Sequence, residues 1–435
     1  MMVRPWHIRM VAQNQWANLL RLIQRQPVTF PPLGSATLDP DDLNIARSWL
    51  SRPTSTWLDD APVLEFEQAF SSWNNTAYSH AFMGGRVAFS ACLSTLDLQP
   101  SDEIILPGYT CIVVPNAVRY CGAKVVYCDI ELETYGLCAE SLKALITPNT
   151  KAIVIQHLYG LVSRDLEKLI SIAKEHNLVV IEDCAHSTGA SFAGTKVGNF
   201  GDLAFFSCEQ SKILNTTQGG IAITNNERLN AKLIRFKTSA PSVALNRIEA
   251  LLQNVVLNYY TFKHPLKWLT KDFAFAALNP YLLESTPEDE VQGLMPKHYG
   301  ATMPAPLASI ATNQLGKLDR YNQARRENAQ LWEHWGRSNG LPTPSVISDS
   351  VPVYLRYPIR VPAPMKQDTS WAEKRLGVQP GVWFKTHVHP SNEPVLNCPN
   401  ADTAVAQCIN MPTLQITKSV NKRIHQNTVN LQLKG

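Results

Sequence analysis

The chain contains no uninterrupted apolar run of the roughly 18 residues that a membrane-spanning helix needs, because Arg, Lys, Gln or Asn breaks every candidate. It also lacks a stretch resembling a secretory leader, any CxxC pair, any long block of like charges and any GxGxxG following an apolar strand. Each absence removes a class of protein. The nine cysteines are an odd number scattered from Cys92 to Cys408, which fits reduced thiols of a cytosolic protein and not a disulfide frame or a zinc site. The missing glycine motif argues against a dinucleotide enzyme. A formal net charge of +4 with 17% charged residues gives no reason to expect a nucleic-acid partner. At 435 residues and 45% hydrophobic composition, the chain is long enough to bury one large domain and a smaller one without covalent staples.

One shortage is local. Residues 1–30 hold no Asp or Glu, while Arg4, Arg9, Arg21 and Arg25 accompany Trp6 and Trp16. This is a basic amphipathic extension, suited to packing on its own protein or a second subunit, or to peripheral contact with a membrane.

From residue 78 to about 225, short apolar runs alternate with segments of helical periodicity. The runs are SHAFM, EIILP, AKVVYCDI, KAIVIQHLYG, LVVIED, DLAFFS and GGIAITN, and residues 86–96 and 165–176 carry apolar positions three and four apart. The pattern predicts an α/β fold whose large domain is a mostly parallel sheet covered by helices on both faces. The organisation expected is a basic extension over 1–30, a large domain over 31–236 and a helical apolar insertion over 237–298. A connector with one long helix from about 305 to 335 lies within 299–350, and a smaller C-terminal α+β domain over 351–435 opens on a strand in VPVYLRYPIRV.

Ligands of such sheets sit beyond the carboxyl ends of the strands, so the residues after each run are the candidates. Pyridoxal phosphate chemistry requires a lysine to bond the aldehyde, a carboxylate to keep the ring nitrogen protonated, a phosphate cradle and an aromatic face. Asp183 closes LVVIED, where a buried carboxylate is costly without a cation. Lys212 follows one strand later, and desolvation would make its amine nucleophilic. Gly85 opens a helix whose free N–H groups suit an anion, with Arg86 and Ser207 able to add charge and a hydroxyl. Tyr109 follows a Pro-Gly turn and could stack on a ring. Singly, each residue type has an ordinary structural use; their joint occurrence at strand ends is what points to a cofactor. His387 and His389 have metal-like spacing but no third ligand nearby, and read as structural or substrate-facing.

LEFEQAF at 64–70, PGYTCIVVPNAVRYCGAKVVYCDIELETYG, ITPNTKAIVIQHLYG, IEDCAHSTGA and GNFGDLAFFSCEQSKILNTTQGGIAITN occur in an order that resembles the DegT/DnrJ/StrS family of sugar aminotransferases. The resemblance runs from about residue 31 to the C-terminus, apart from 237–298. It implies the aspartate aminotransferase fold, pyridoxal 5′-phosphate as cofactor, an amino-acid donor such as L-glutamate and a keto or aldehyde sugar as acceptor, nucleotide-linked and destined for surface polysaccharide or amino-sugar synthesis. It further implies a homodimer with a shared site. By position, Lys212 would bond the cofactor and move the proton, Asp183 would pair with the ring nitrogen, and His186 would sit by the phenolic oxygen. Tyr109 would stack on the ring, and Ser207 with Gly85 and Arg86 would hold the phosphate. The chain departs from the family at Arg86, where Thr is usual, at Glu209-Gln210-Ser211 in place of His-Pro-Thr, and at Gln218 in place of Glu. Gly300 and Thr302 stand for an asparagine and an arginine, and Trp383 for a histidine near the sugar. Other readings on this scaffold are a dehydratase, which would carry histidine where Lys212 stands, a lyase acting on a small amino acid, and a non-catalytic cofactor-binding protein.

Overall fold

The computed structural model describes residues 14–16, 18–21, 23, 28–264, 267–268, 286–296 and 299–427. Each apolar run becomes a strand: β1 (Tyr78–Phe82), β2 (Glu103–Pro107), β3 (Lys124–Cys128), β4 (Thr150–Gln156), β5 (Val179–Asp183), β6 (Leu203–Ser207) and β7 (Gly220–Thr224). They form one seven-stranded sheet in the order β1-β7-β6-β5-β4-β2-β3, in which β7 alone runs against its neighbours.

The runs are apolar throughout because both faces are buried. Ile104, Leu106, Ala152, Val154, Ile181, Leu203 and Phe205 join one core. Their alternate neighbours Ile105, Ile153, Ile155, Val180, Ala204 and Phe206 join the other. Helices α1 (Pro40–Leu50), α2 (Ala61–Asn74), α3 (Gly85–Ser94), α4 (Val113–Tyr120), α5 (Leu166–Glu175), α6 (Leu245–Asn258), α7 (Ala305–Leu315) and α8 (Leu318–Ser338) surround this sheet and its neighbour. The first core is closed by α3 and α4. Side chains of α2, α5, α6 and α7 close the second.

The single helix expected over 305–335 is two helices, α7 and α8, broken at Gly316 and Lys317. At the break Lys317 turns to the start of α1, where its amine pairs with Asp39, Asp41 and the fully buried Asp42. The strand expected in VPVYLRYPIRV is confined to β8 (Tyr357–Arg360), which pairs with β9 (Cys408–Met411). Ser350–Val351, just before it, pairs instead with Ser191–Phe192. A third core packs Trp332 and Trp335 of α8 on Tyr357, Ile359, Ile409 and Ile424. Tyr109, Leu158 and Tyr159, just beyond β2 and β4, belong to the same cluster. The C-terminal layer is therefore joined to the carboxyl edge of the large sheet.

Of residues 237–298, α6 buries Ile248, Leu251, Leu252 and Val255 in the main core. Residues 265–266, 269–285 and 297–298 of that segment, and most of 1–27, lie outside the described residues. Among the described residues no helix is long and apolar enough to cross a membrane.

Phe206 is 1% exposed and meets Phe70 edge to face at 5.1 Å. Phe206→Ala should cost about 3–5 kcal/mol, read as a lower urea midpoint at unchanged slope; a midpoint equal to that of the wild type would refute the packing described.

Candidate active site

The carboxyl ends of β1, β5 and β6 open on a cavity of ≈ 1190 Å³ roofed by α6 and bordered by Arg356 and the 383–390 segment. Gly85, Arg86, Asp183, His186, Ser207 and Lys212 all line it. Tyr109 does not.

Asp183 is the last residue of β5, and its carboxylate accepts the Ala185 N–H at 2.9 Å. Burial pushes its pKa up to about 6, against the opposing pull of that N–H, Lys212 and His157. A carboxylate in this condition is short of positive charge, which a protonated pyridine nitrogen would supply.

The loop after β6 folds back on itself, with Cys208 N–H donating to Gly219 O and Thr216 N–H to Cys208 O, and carries Lys212 into the cavity. Two close approaches hold this loop and its neighbours. A Cβ on Gly220 would lie 2.3 Å from the carbonyl carbon of Gly84, and one on Gly85 would lie 2.8 Å from Ser207 Cβ. Glycine at these places lets the start of α3, with its unsatisfied N–H groups, meet the Ser207 hydroxyl at one spot.

Lys212 Nζ lies 2.8 Å from His186 Nε2. His186 Nδ1 accepts the Tyr159 N–H at 3.3 Å, so a neutral ring carries its proton on Nε2 and donates it to the lysine. The amine receiving that bond does so in its unprotonated form, the form that a lowered pKa favours. Burial lowers the Lys212 pKa, and the charge of Arg356 adds to it while Glu209, Cys111 and Asp183 oppose it. Burial, then Lys212 and Arg356, hold His186 well below its ordinary value. The His186 ring stacks on Trp383 at 5.2 Å and 19°, and Lys212 Nζ is 5.0 Å from the same indole.

Two expectations need correction. Tyr109 is fully buried in the third core, 5.1 Å from the Phe384 ring, where its hydroxyl lies 3.1 Å from Trp383 O and accepts the Phe384 N–H at 2.8 Å. A phenol that finds both partners inside the protein stays there. Cys111, Val113 and Val114 form the wall instead, and the aromatic surface in the cavity is Trp383 with Phe384. Arg86, expected to serve the anion site, pairs with the fully buried Glu290 from the 237–298 segment.

Sequence reasoning passed over three groups. Arg247 of α6 lines the cavity and donates to Gln218 Oε1 at 3.0 Å. Arg247 and Glu290 lie in the segment read from sequence as a helical apolar insertion, where no motif marks them. Arg356 also lines the cavity; its signal was one of two arginines, with Arg360, within an apolar strand pattern.

Other titratable groups are accounted for locally. Buried His157 pairs with Glu182 at 3.0 Å, and Glu182 also receives the N–H groups of Gly198, Phe200 and Gly201, so the cluster these two form with Cys184 is held without a metal. His387 bonds Asp402 at 2.8 Å, while His389 lines the cavity and is pushed down to about 4 by burial and then by Lys385 and Lys366. All nine cysteines are free thiols.

The donor set fits pyridoxal phosphate: an amine whose pKa burial lowers, a carboxylate short of a cation and an N–H and hydroxyl cradle. The sequence model of the DegT/DnrJ/EryC1/StrS aminotransferase family matches residues 49–255. GDP-perosamine synthase of Caulobacter vibrioides is 40% identical over 181 residues, 41% of this chain and 48% of that protein. UDP-N-acetyl-3-dehydro-alpha-D-glucosamine 3-aminotransferase of Acidithiobacillus ferrooxidans is 37% identical over 183 residues, 40% of this chain and 49% of that one. The chain thus spans about half the length of these curated relatives. The structure of ntda from Bacillus subtilis with bound cofactor PMP superposes with a TM-score of 0.69 at 21% identity, covering 92% of this chain and 84% of that one, a likeness of fold. Residues 49–255 thus match the model of the DegT/DnrJ/EryC1/StrS aminotransferase family, and the fold is shared with a solved structure over 92% of the chain.

Proposed function

We propose that the protein is a pyridoxal-phosphate-dependent aminotransferase that moves an amino group from an amino acid, L-glutamate in the first instance, to a keto or aldehyde sugar. The observation that carries this reading is the Lys212 amine, hydrogen-bonded to His186 in the same cavity as an under-compensated Asp183. When bound, the cofactor supplies an aldehyde to take up the amino group and a ring to delocalise the electrons left at the donor carbon. Lys212 would hold that aldehyde at rest through its amine, with loss of water, and during turnover would carry the proton from the donor α-carbon to the former aldehyde carbon as general base and acid. His186, through Nε2–H, orients the lysine, and the Asp183 carboxylate keeps the ring nitrogen protonated. The N–H groups at the start of α3 and the Ser207 hydroxyl hold the phosphate. Trp383 and the α6 roof exclude water from the reacting atoms.

A nucleotide-linked sugar is the acceptor this reading favours. The two relatives are by name a GDP-sugar synthase and a UDP-sugar aminotransferase. Arg247, on the cavity wall with an amide as its hydrogen-bond partner, suits a diphosphate. The same reading includes a homodimer that completes the site, a cytoplasmic location, and a surface contact of residues 1–30 and 237–298 with an anionic membrane. Trp16 at 63% and Ile23 at 71% exposure support that contact.

Mixing the purified protein with pyridoxal phosphate should give a cofactor absorbance that borohydride fixes to Lys212, located by peptide mass. Because burial lowers the Lys212 pKa, capture should reach its plateau at a pH below that of an ordinary surface lysine. Equal labelling of Lys212→Ala would sink the assignment.

The fold raises Asp183 to about 6, so the cofactor-free protein loses stability through this group as pH climbs from the unfolded carboxyl value through about 6. Cofactor-free Asp183→Asn should therefore be on the order of 2–3 kcal/mol more stable than the wild type near pH 8, with the gap closing toward pH 4. With pyridoxal phosphate restored, the same variant should turn over at least ~100-fold more slowly. Denaturation curves offset equally at both pH values would refute the buried-carboxylate reading.

A further inference from the structure

Arg356 immediately precedes β8, 5% exposed, with its guanidinium 3.3 Å from the Trp383 ring centroid. One Nη donates to the Leu33 carbonyl at 3.3 Å, while Nε has no hydrogen-bond partner. Among the described residues no acidic side chain forms an ion pair with it. Glu209, whose charge it feels, has its carboxylate engaged by the Ser211 N–H at 2.9 Å. The place is built for the side chain: a Cβ on Gly381 would sit 2.8 Å from Nη1, so glycine there leaves room for the guanidinium. Burial pushes the group down to about 9, a measure of what the missing anion would offset.

Lys212 Nζ and the Arg356 guanidinium both address the Trp383 indole, at 5.0 and 3.3 Å from its centroid, and both line one cavity. An α-amino acid carries its carboxylate one bond from the carbon whose proton Lys212 moves. From this placement we infer that Arg356 is the subsite for the α-carboxylate of the amino donor, held by charge-assisted hydrogen bonds over the face of Trp383. The inference rests on the aminotransferase reading above for the identity of the ligand, but the carboxylate subsite itself stands on the arginine. A carboxylate on an acidic acceptor sugar has the same chemistry, and the experiment separates the two.

Wild type, Arg356→Met and Arg356→Lys are loaded with pyridoxal phosphate, and equal cofactor absorbance and melting temperature are verified. Conversion of the cofactor band is then titrated without acceptor, using L-glutamate and, separately, sec-butylamine, which has no carboxylate. Arg356→Met should raise the half-maximal glutamate concentration on the order of 100-fold or more, leave sec-butylamine unchanged, and be partly rescued in Arg356→Lys. If Arg356→Met does not fold, Arg356→Ala with added guanidinium takes its place, and recovery of the glutamate response supports the subsite. Equal effects on both amines, or none on either, overturn it. An unchanged donor half-reaction with a raised acceptor KM overturns the donor assignment in favour of an acidic sugar. Should the wild type bind cofactor yet not respond to glutamate, the aminotransferase reading fails. Calorimetry with glutarate then decides the subsite alone: binding lost in Arg356→Met supports it, and equal binding in both proteins overturns it.

Discussion

An amine 2.8 Å from an imidazole N–H, half-buried in the cavity, is the interaction on which the proposed chemistry depends. It exists because of a chain of small commitments. Tyr159 N–H occupies His186 Nδ1, which fixes the proton on the other nitrogen, and Arg356 adds positive charge that makes a second cation nearby unfavourable. Lysine in water keeps its proton at neutral pH; this one is placed where the charged form is the expensive one.

The sheet makes that placement possible. Strands buried on both faces and running in parallel deliver Asp183, Ser207 and the start of α3 to a single edge. The one antiparallel strand, β7, brings the chain back past Gly84 so closely that Gly220 has no room for a side chain. Moving either glycine outward would part the N–H groups of α3 from the Ser207 hydroxyl, so the cradle and the lysine loop are set by the same contact.

Strands were legible because a doubly buried strand is a continuous apolar run, and that signal survives without any knowledge of neighbours. Asp183, His186 and Lys212 were legible for a related reason: polar residues abutting such runs stand out. Tyr109 stands at an equally prominent place, yet its ring goes to the third core, since the satisfaction of its hydroxyl by Trp383 and Phe384 depends on residues almost three hundred positions away. The break between α7 and α8 was hidden for the same reason, as the aspartates that attract Lys317 belong to α1. Arg356, Arg247 and Glu290 acquire meaning only once the cavity is assembled around them.

Charge explains what that cavity is for. Arg86, Lys212, Arg247 and Arg356 line it, against Asp183, Glu209 and Asp289. Glu209 is engaged by Ser211, Asp183 is pushed up to about 6 by burial, and Arg86 has already taken Glu290. Arg247 and Arg356 form no ion pair among the described residues, and a partly desolvated guanidinium strengthens its contact with an anion that enters. On the proposed function a cofactor phosphate, a donor carboxylate and a sugar diphosphate are each anions, and each would meet a different part of this surface: the α3 terminus with Ser207, Arg356 over Trp383, and Arg247 under the α6 roof. Specificity on this scaffold then comes less from the lysine, which any such enzyme needs, than from where the surplus arginines stand around it.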